Sequence, residues 1–209
     1  MSNINEKRYP NINDAVAFNI AFAPIICTYG SVGWDEFLHT KCSRCGLTEQ
    51  VSDFLAQKSD CQKKDGAILD IYHYGVSIII RNLLIENFDI TENDFRAIRN
   101  KNGQIVFYQI TPEHTMLPLM GDNSIKQLKP CSKCGSIQYR IKEFKNEQGW
   151  PYYYISNEAY SEMHDLNKTF ENFDMHIPNF IVSRRVYDFL IEKYPRLNFE
   201  PLFLKYRQS

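Results

Sequence analysis

Cys42-Ser43-Arg44-Cys45-Gly46 and Cys131-Ser132-Lys133-Cys134-Gly135 are near-copies of one another, and each is a CxxCG knuckle. Together they supply four thiolates, the number a tetrahedral zinc ion takes in a closed structural site. Two intervening residues let the chain fold back so that both sulfurs face one ion. Gly46 and Gly135 then permit the tight left-handed turn that follows. A zinc ion closed by Cys42, Cys45, Cys131 and Cys134 has no open coordination position, so it holds a fold together and activates no water. A redox-active CxxC is the competing reading. It would place a strand before each motif and start a helix within it, and the glycine after each second cysteine favours a knuckle turn instead.

The other chemistry-bearing residues form no comparable set. Pro130-Cys131-Ser132-Lys133-Cys134 matches half of the zinc deaminase signature, which also needs an upstream His-x-Glu. His39, His73 and His114 are followed two positions later by Lys41, Gly75 and Met116, so the proton-shuttling glutamate is missing. His39, three residues before Cys42, could replace one thiolate, but four cysteines already complete the ion's shell. His73 reads as a satisfied strand histidine, and His114, His164 and His176 have no Ser or Cys partner suggested by the sequence. No Walker A loop, GxGxxG, HExxH or GxSxG occurs. The carboxylates Asp89, Glu92 and Asp94 read as a solvated face. Arg184 and Asp188 are spaced as an i,i+4 ion pair. Lys41, Arg44, Lys129 and Lys133 beside the knuckles offset the net negative charge of a metal bound by four thiolates. The expectation is therefore a protein that is not an enzyme.

These knuckles need a fold to hold them. With 209 residues, 44% hydrophobic and 14% aromatic, the chain can bury a sizeable core. A formal charge of -1 gives no overall electrostatic footprint for phosphate backbones. The N-terminus is polar, without the apolar core of a signal peptide, and the apolar stretch 15–27 is too short for a bilayer span. A reducing cytoplasm is the expected compartment, where paired CxxC runs mean metal more often than disulfide. Cys27 and Cys61, outside the knuckles, read as small buried or half-buried side chains.

Residues 1–12 read as a flexible arm, and 13–209 as a single α+β domain. A strand is expected over 16–27, a loop around Gly30, Gly33 and Trp34, and a short helix from Thr48 with Val51, Phe54 and Leu55 on one face. A polar turn over 63–66 and a strand over 67–74 follow. Val76-Ser77 and Val182-Ser183 each open a helix that the serine caps. Ile80, Leu83 and Leu84, or Val186, Phe189 and Leu190, form the buried stripe. Phe88 or Tyr194 follows each helix, and then a strand over 104–110 or 199–206. One reading of this recurrence is a duplication into two related halves, 13–111 and 125–209, joined by the four-cysteine zinc site. A hairpin is expected with Ile137, Tyr139 and Ile141 on one arm and the turn at 146–149. The aromatic run from Trp150 to Ile155 returns, and a helix capped by Ser156 or Asn157 follows.

Cys42, Cys45, Gly46, Cys131, Cys134 and Gly135, with the stretch from Phe180 through Val182-Ser183 to Phe199-Glu200-Pro201-Leu202, resemble a bacterial family named for its double CxxCG motif. Ser43 and Ser132 stand where that family often has proline. The resemblance covers most of the chain by order and length, with few identities between the motifs. It implies a cytoplasmic immunity protein that binds and neutralises one cognate polymorphic toxin domain, with structural Zn2+ and neither nucleic acid nor membrane as partner. It names no interface residues. A zinc-ribbon module for nucleic acid or transcription is the second reading, and an enzyme with an unrecognised site the third.

Overall fold

The computed structural model describes residues 3–21, 38–50, 68–69, 75–119, 125–141, 144–172 and 178–205. The fold is α+β, with short helices and mostly antiparallel sheets. The expected loop around Trp34, the turn at 63–66, Cys27, Cys61, His73 and His176 lie outside the described residues. Among the described residues no helix is long and apolar enough to cross a membrane. The chain divides into two compact units. One comprises Met1–Ala21, Glu113–Lys129 and Ile137–Ser209, and the other Phe22–Pro112 and Pro130–Ser136.

The first unit is built on a six-stranded sheet. β1 (Ala17–Ile20) lies between β13 (Pro178–Ser183) and β14 (Phe199–Leu204), antiparallel to both. β12 (Leu166–Asn172) extends the sheet beyond β13. β11 (Pro151–Ile155), parallel to β14, and β10 (Phe144–Lys145) extend it on the other side. Strand alternation sends Ala17, Ile155, Ile181 and Leu202 to one face, where Met116, Leu119 and Ala159 complete a buried cluster. Phe18 and Phe199 go to the other face, and Phe18 stacks on Tyr187 with ring centroids 3.6 Å apart. Tyr187 belongs to the helix Arg184–Lys193, which packs on β1 and β13.

Within residues 1–12, Ile4–Arg8 is a helix (α1), and Asn5 is fully buried. The Asn5 amide donates to the Leu197 carbonyl at 2.8 Å, and its oxygen accepts the Phe199 N–H at 2.9 Å. Arg8 lies over the Trp150 ring at 4.2 Å, and its carbonyl accepts from Asn146. Tyr9 and Ile12 are buried as well, and the Asn5 amide satisfies backbone groups that burial would otherwise leave unpaired.

The second unit holds a four-stranded sheet in the order β4 (Ile68–Leu69), β5 (Gly75–Val76), β7 (Ile105–Ile110), β6 (Phe95–Arg99). The helix α2 (Ile78–Asn87) packs on β7. Its Arg81 reaches over the Tyr108 ring at 4.4 Å and pairs with Glu92 at 3.2 Å. The separate two-stranded ladder β2 (Leu38–Cys42) with β3 (Leu47–Gln50) carries the first knuckle at its turn. Thr48–Gln50 are therefore strand, not the start of a helix, because pairing to β2 supplies the backbone partners that a helix would have supplied. Val51, Phe54 and Leu55 lie outside the described residues.

Both serine caps are present. Ser77 accepts the Ile80 N–H at 3.2 Å, and Ser183 accepts the Val186 N–H at 3.4 Å. α3 (Asn157–Ser161) is capped by Ser156, and Arg184–Lys193 is α4. The buried residues of α4 are Val186, Tyr187, Leu190 and Ile191, with Tyr187 and Ile191 where Phe189 was expected. The expected turn at 146–149 joins β10 to β11, with Gly149 at φ +82°. Tyr139 and Ile141 sit instead on β9 (Tyr139–Ile141), which pairs with β8 (Ile125–Gln127). The two expected halves do not emerge as units. In one unit β5 and β7 flank each other, whereas in the other β1 lies between β13 and β14. The four cysteines all belong to a single unit.

Candidate metal centre

In the first knuckle the Gly46 N–H donates to the Cys42 carbonyl at 2.9 Å, and in the second the Gly135 N–H donates to the Cys131 carbonyl at 2.8 Å. Both glycines sit at φ +74°, a left-handed conformation that a Cβ would strain. The turn aims backbone N–H groups at sulfur: those of Lys133 and Cys134 at Cys131, that of Ser136 at Cys134, and that of Leu47 at Cys45. Such donors stabilise thiolates.

The four sulfurs lie within 4.8 Å of one another. Cys42 Sγ is 3.8 Å from Cys131 Sγ, and Cys45 Sγ is 3.6 Å from Cys134 Sγ. Zn–S bonds of about 2.3 Å in a tetrahedron require sulfur separations of about 3.8 Å. All four cysteines are free thiols, so donor type, number and spacing fit a closed four-thiolate metal site. The expected ligands Cys42, Cys45, Cys131 and Cys134 are thus brought together by the fold. His39 is exposed on β2 and belongs to no such group.

Electrostatics reflect the crowding. The Ser136 hydroxyl, then its N–H, lowers Cys134 to about 6. The N–H groups of Lys133 and Cys134 lower Cys131. The same Ser136 hydroxyl pulls Cys45 down, but desolvation and the sulfurs of Cys134 and Cys42 leave it raised overall. Four thiolates this close repel one another, and a divalent cation between them relieves that repulsion. Lys133 Nζ donates to Ser43 Oγ at 2.9 Å across the two knuckles, while Lys41 is paired with Glu49.

The remaining candidates serve structure. Arg184 donates to both Asp188 oxygens at 2.9 Å, as its spacing predicts. Asp94 accepts the Thr91 N–H at 2.9 Å in a capping box, and Glu92 pairs with Arg81. His114 and His164 stack in parallel with centroids 3.9 Å apart, and no local signal foretold this. Burial, then the His164 ring, lowers His114, whose Nε2 is buried without a partner. Sequence reasoning also missed a groove of about 980 Å³ in the first unit, lined by Tyr9, Asp14, Glu147, Tyr152, Tyr154 and Phe203 among others. It missed Ser136 as well, whose hydroxyl lies 3.0 Å from Cys134 Sγ and 3.4 Å from Cys45 Sγ. The signal for Ser136 was the position directly after the glycine, where the near-copies differ in kind, Leu47 against Ser136.

The chain matches no protein-family model and no curated protein.

Proposed function

We propose that this chain is a cytoplasmic immunity protein that binds and neutralises a cognate polymorphic toxin domain, with structural Zn2+ held by Cys42, Cys45, Cys131 and Cys134. The observation that carries the reading is the closed set of four thiols drawn from two matching CxxCG knuckles. Four thiolates fill a tetrahedral ion, so the metal braces a surface and offers no position to a substrate. A braced surface suits tight inhibition, because preorganisation lowers the ordering cost of binding. Zinc is favoured over harder cations by the all-sulfur donor set.

The test is co-expression with toxin domains encoded in the gene neighbourhood, scored by growth and followed by titration of the purified pair. Rescue by one toxin's partner with a nanomolar complex is the expected result. Failure to rescue against every neighbouring toxin, in cells that accumulate the folded protein, would overturn the reading.

A second reading, a zinc-ribbon module for nucleic acid, draws on the exposed cations Lys41, Arg44 and Lys133 around the knuckles. Lys41 and Lys133 are already engaged by Glu49 and Ser43, which weakens it. DNA or RNA binding that falls steeply with salt would favour it over immunity.

A further inference from the structure

The four sulfurs are unequally covered. Cys42 is 1% exposed, Cys45 and Cys131 are half-buried, and Cys134 is exposed. The sulfurs are covered on the Cys42 side and most open at Cys134, which forms an edge with Cys45, their Sγ atoms 3.6 Å apart. Each knuckle contributes one sulfur to that edge. Among the described residues, one side chain reaches both of its sulfurs: Ser136, whose Oγ lies 3.0 Å from Cys134 Sγ and 3.4 Å from Cys45 Sγ. The equivalent position in the first knuckle is Leu47, which has no hydroxyl to return the contact. The bracing is therefore one-sided, although the two knuckle backbones match at φ +74°.

We propose that Ser136 is the positioning residue that sets how readily this site releases its metal, and that metal enters and leaves along the Cys45–Cys134 edge. This rests on the reading of the four cysteines as a metal site. A metal-bound thiolate only accepts hydrogen bonds, so the Ser136 hydroxyl donates to it, chiefly to the nearer Cys134. That donation fixes the direction in which the sulfur's remaining lone pairs point. It also holds the Cys134 and Cys45 side chains at the separation the ion needs. The backbone contacts of Ser136, its carbonyl to the Cys131 N–H at 2.9 Å and its N–H to Cys134, do not involve the hydroxyl. Ser136→Ala thus removes the hydroxyl and leaves the knuckle's backbone frame in place.

The experiment loads the full chain with Zn2+, measures stoichiometry, and follows transfer of zinc to a chromogenic chelator. Cobalt-loaded protein is examined in parallel for its thiolate-to-metal charge-transfer absorption. Wild type is expected to hold one zinc per chain. Ser136→Ala should hold one zinc but release it about 10- to 100-fold faster, the factor by which loss of a hydrogen-bond partner to a ligand lowers metal affinity. Its cobalt charge-transfer band should shift. Ser136→Thr, which keeps the hydroxyl, should restore both, and Ser132→Ala, which removes another hydroxyl from the same knuckle, should change neither. One zinc per chain with equal release from wild type and Ser136→Ala would overturn the role of Ser136 alone, as would Ser136→Thr behaving like Ser136→Ala. Wild type that binds no metal would overturn the metal reading and this role with it.

Discussion

The two units solve the same problem with different means. The unit formed by Met1–Ala21, Glu113–Lys129 and Ile137–Ser209 has a six-stranded sheet with apolar residues buried on both faces. Its helix α4 buries Val186, Tyr187, Leu190 and Ile191. Among its described residues the other unit has a four-stranded sheet. Its helix α2 buries only Ile80 and Leu84 and leaves Ile78 and Ile79 40% and 44% exposed. The four thiols belong to this second unit, where a bound metal would add its binding free energy to what packing supplies.

The strongest way to break this contrast is to remove the metal. Chelation, or Cys42→Ser, should withdraw a binding term that is on the order of 10 kcal/mol in zinc peptides. Native-state hydrogen exchange should then show lost protection in β2, β3 and β5 to β7, with β1, β13 and β14 still protected. Equal loss in both units would mean that the metal supports the whole chain. Cys134→Ser should be milder than Cys42→Ser, because the exposed position leaves no buried hydroxyl unsatisfied.

Core truncation gives the next largest effect. Leu190 and Leu84 are 2% and 3% exposed, and Leu→Ala at such sites costs about 2–5 kcal/mol. Leu190→Ala should fall in the upper part of that range and Leu84→Ala in the lower, read from denaturant melts of the metal-loaded protein. The reverse order would show that α2 is packed as tightly as α4.

The two serine caps sharpen the comparison on a smaller scale. Loss of a cap costs about 1 kcal/mol. Ser77 caps Ile80, whereas Ser183 also donates to Asp165 Oδ1 at 2.6 Å, and Asp165 in turn accepts from Arg185. Ser183→Ala should therefore exceed Ser77→Ala, and equal costs would mean that Asp165 is satisfied without the Ser183 hydroxyl.

The smallest effect concerns pH. Burial and the stacked His164 lower the pKa of His114. The unfolded chain then binds a proton before the folded chain does, so this contribution is complete above the ordinary histidine value of about 6.5 and is lost as pH falls below it. The first unit's melting temperature should decline on acidification from neutrality, and His114→Gln should flatten that decline. Glu171, raised by burial, acts with the opposite sign at lower pH. An unchanged slope in His114→Gln would assign the decline to other groups.

The features legible in the sequence are those governed by residues a few positions apart. Gly46 and Gly135 at φ +74°, the caps Ser77, Ser156 and Ser183, the turn closed by Gly149, and the Arg184–Asp188 pair follow from local dihedral preference and short-range hydrogen bonds. The four-cysteine set was legible because metal chemistry demands a donor count that two knuckles meet together. Tertiary structure alone decided the rest. It placed β1 between β13 and β14, paired β9 with β8, and turned Thr48–Gln50 into strand. It buried Asn5 beneath Leu197 and Phe199, stacked His114 on His164, and set Ser136 between sulfurs of two knuckles. Each of these depends on where a distant segment leaves a backbone group or sulfur in need of a partner, and side-chain type and spacing along the chain do not encode that location.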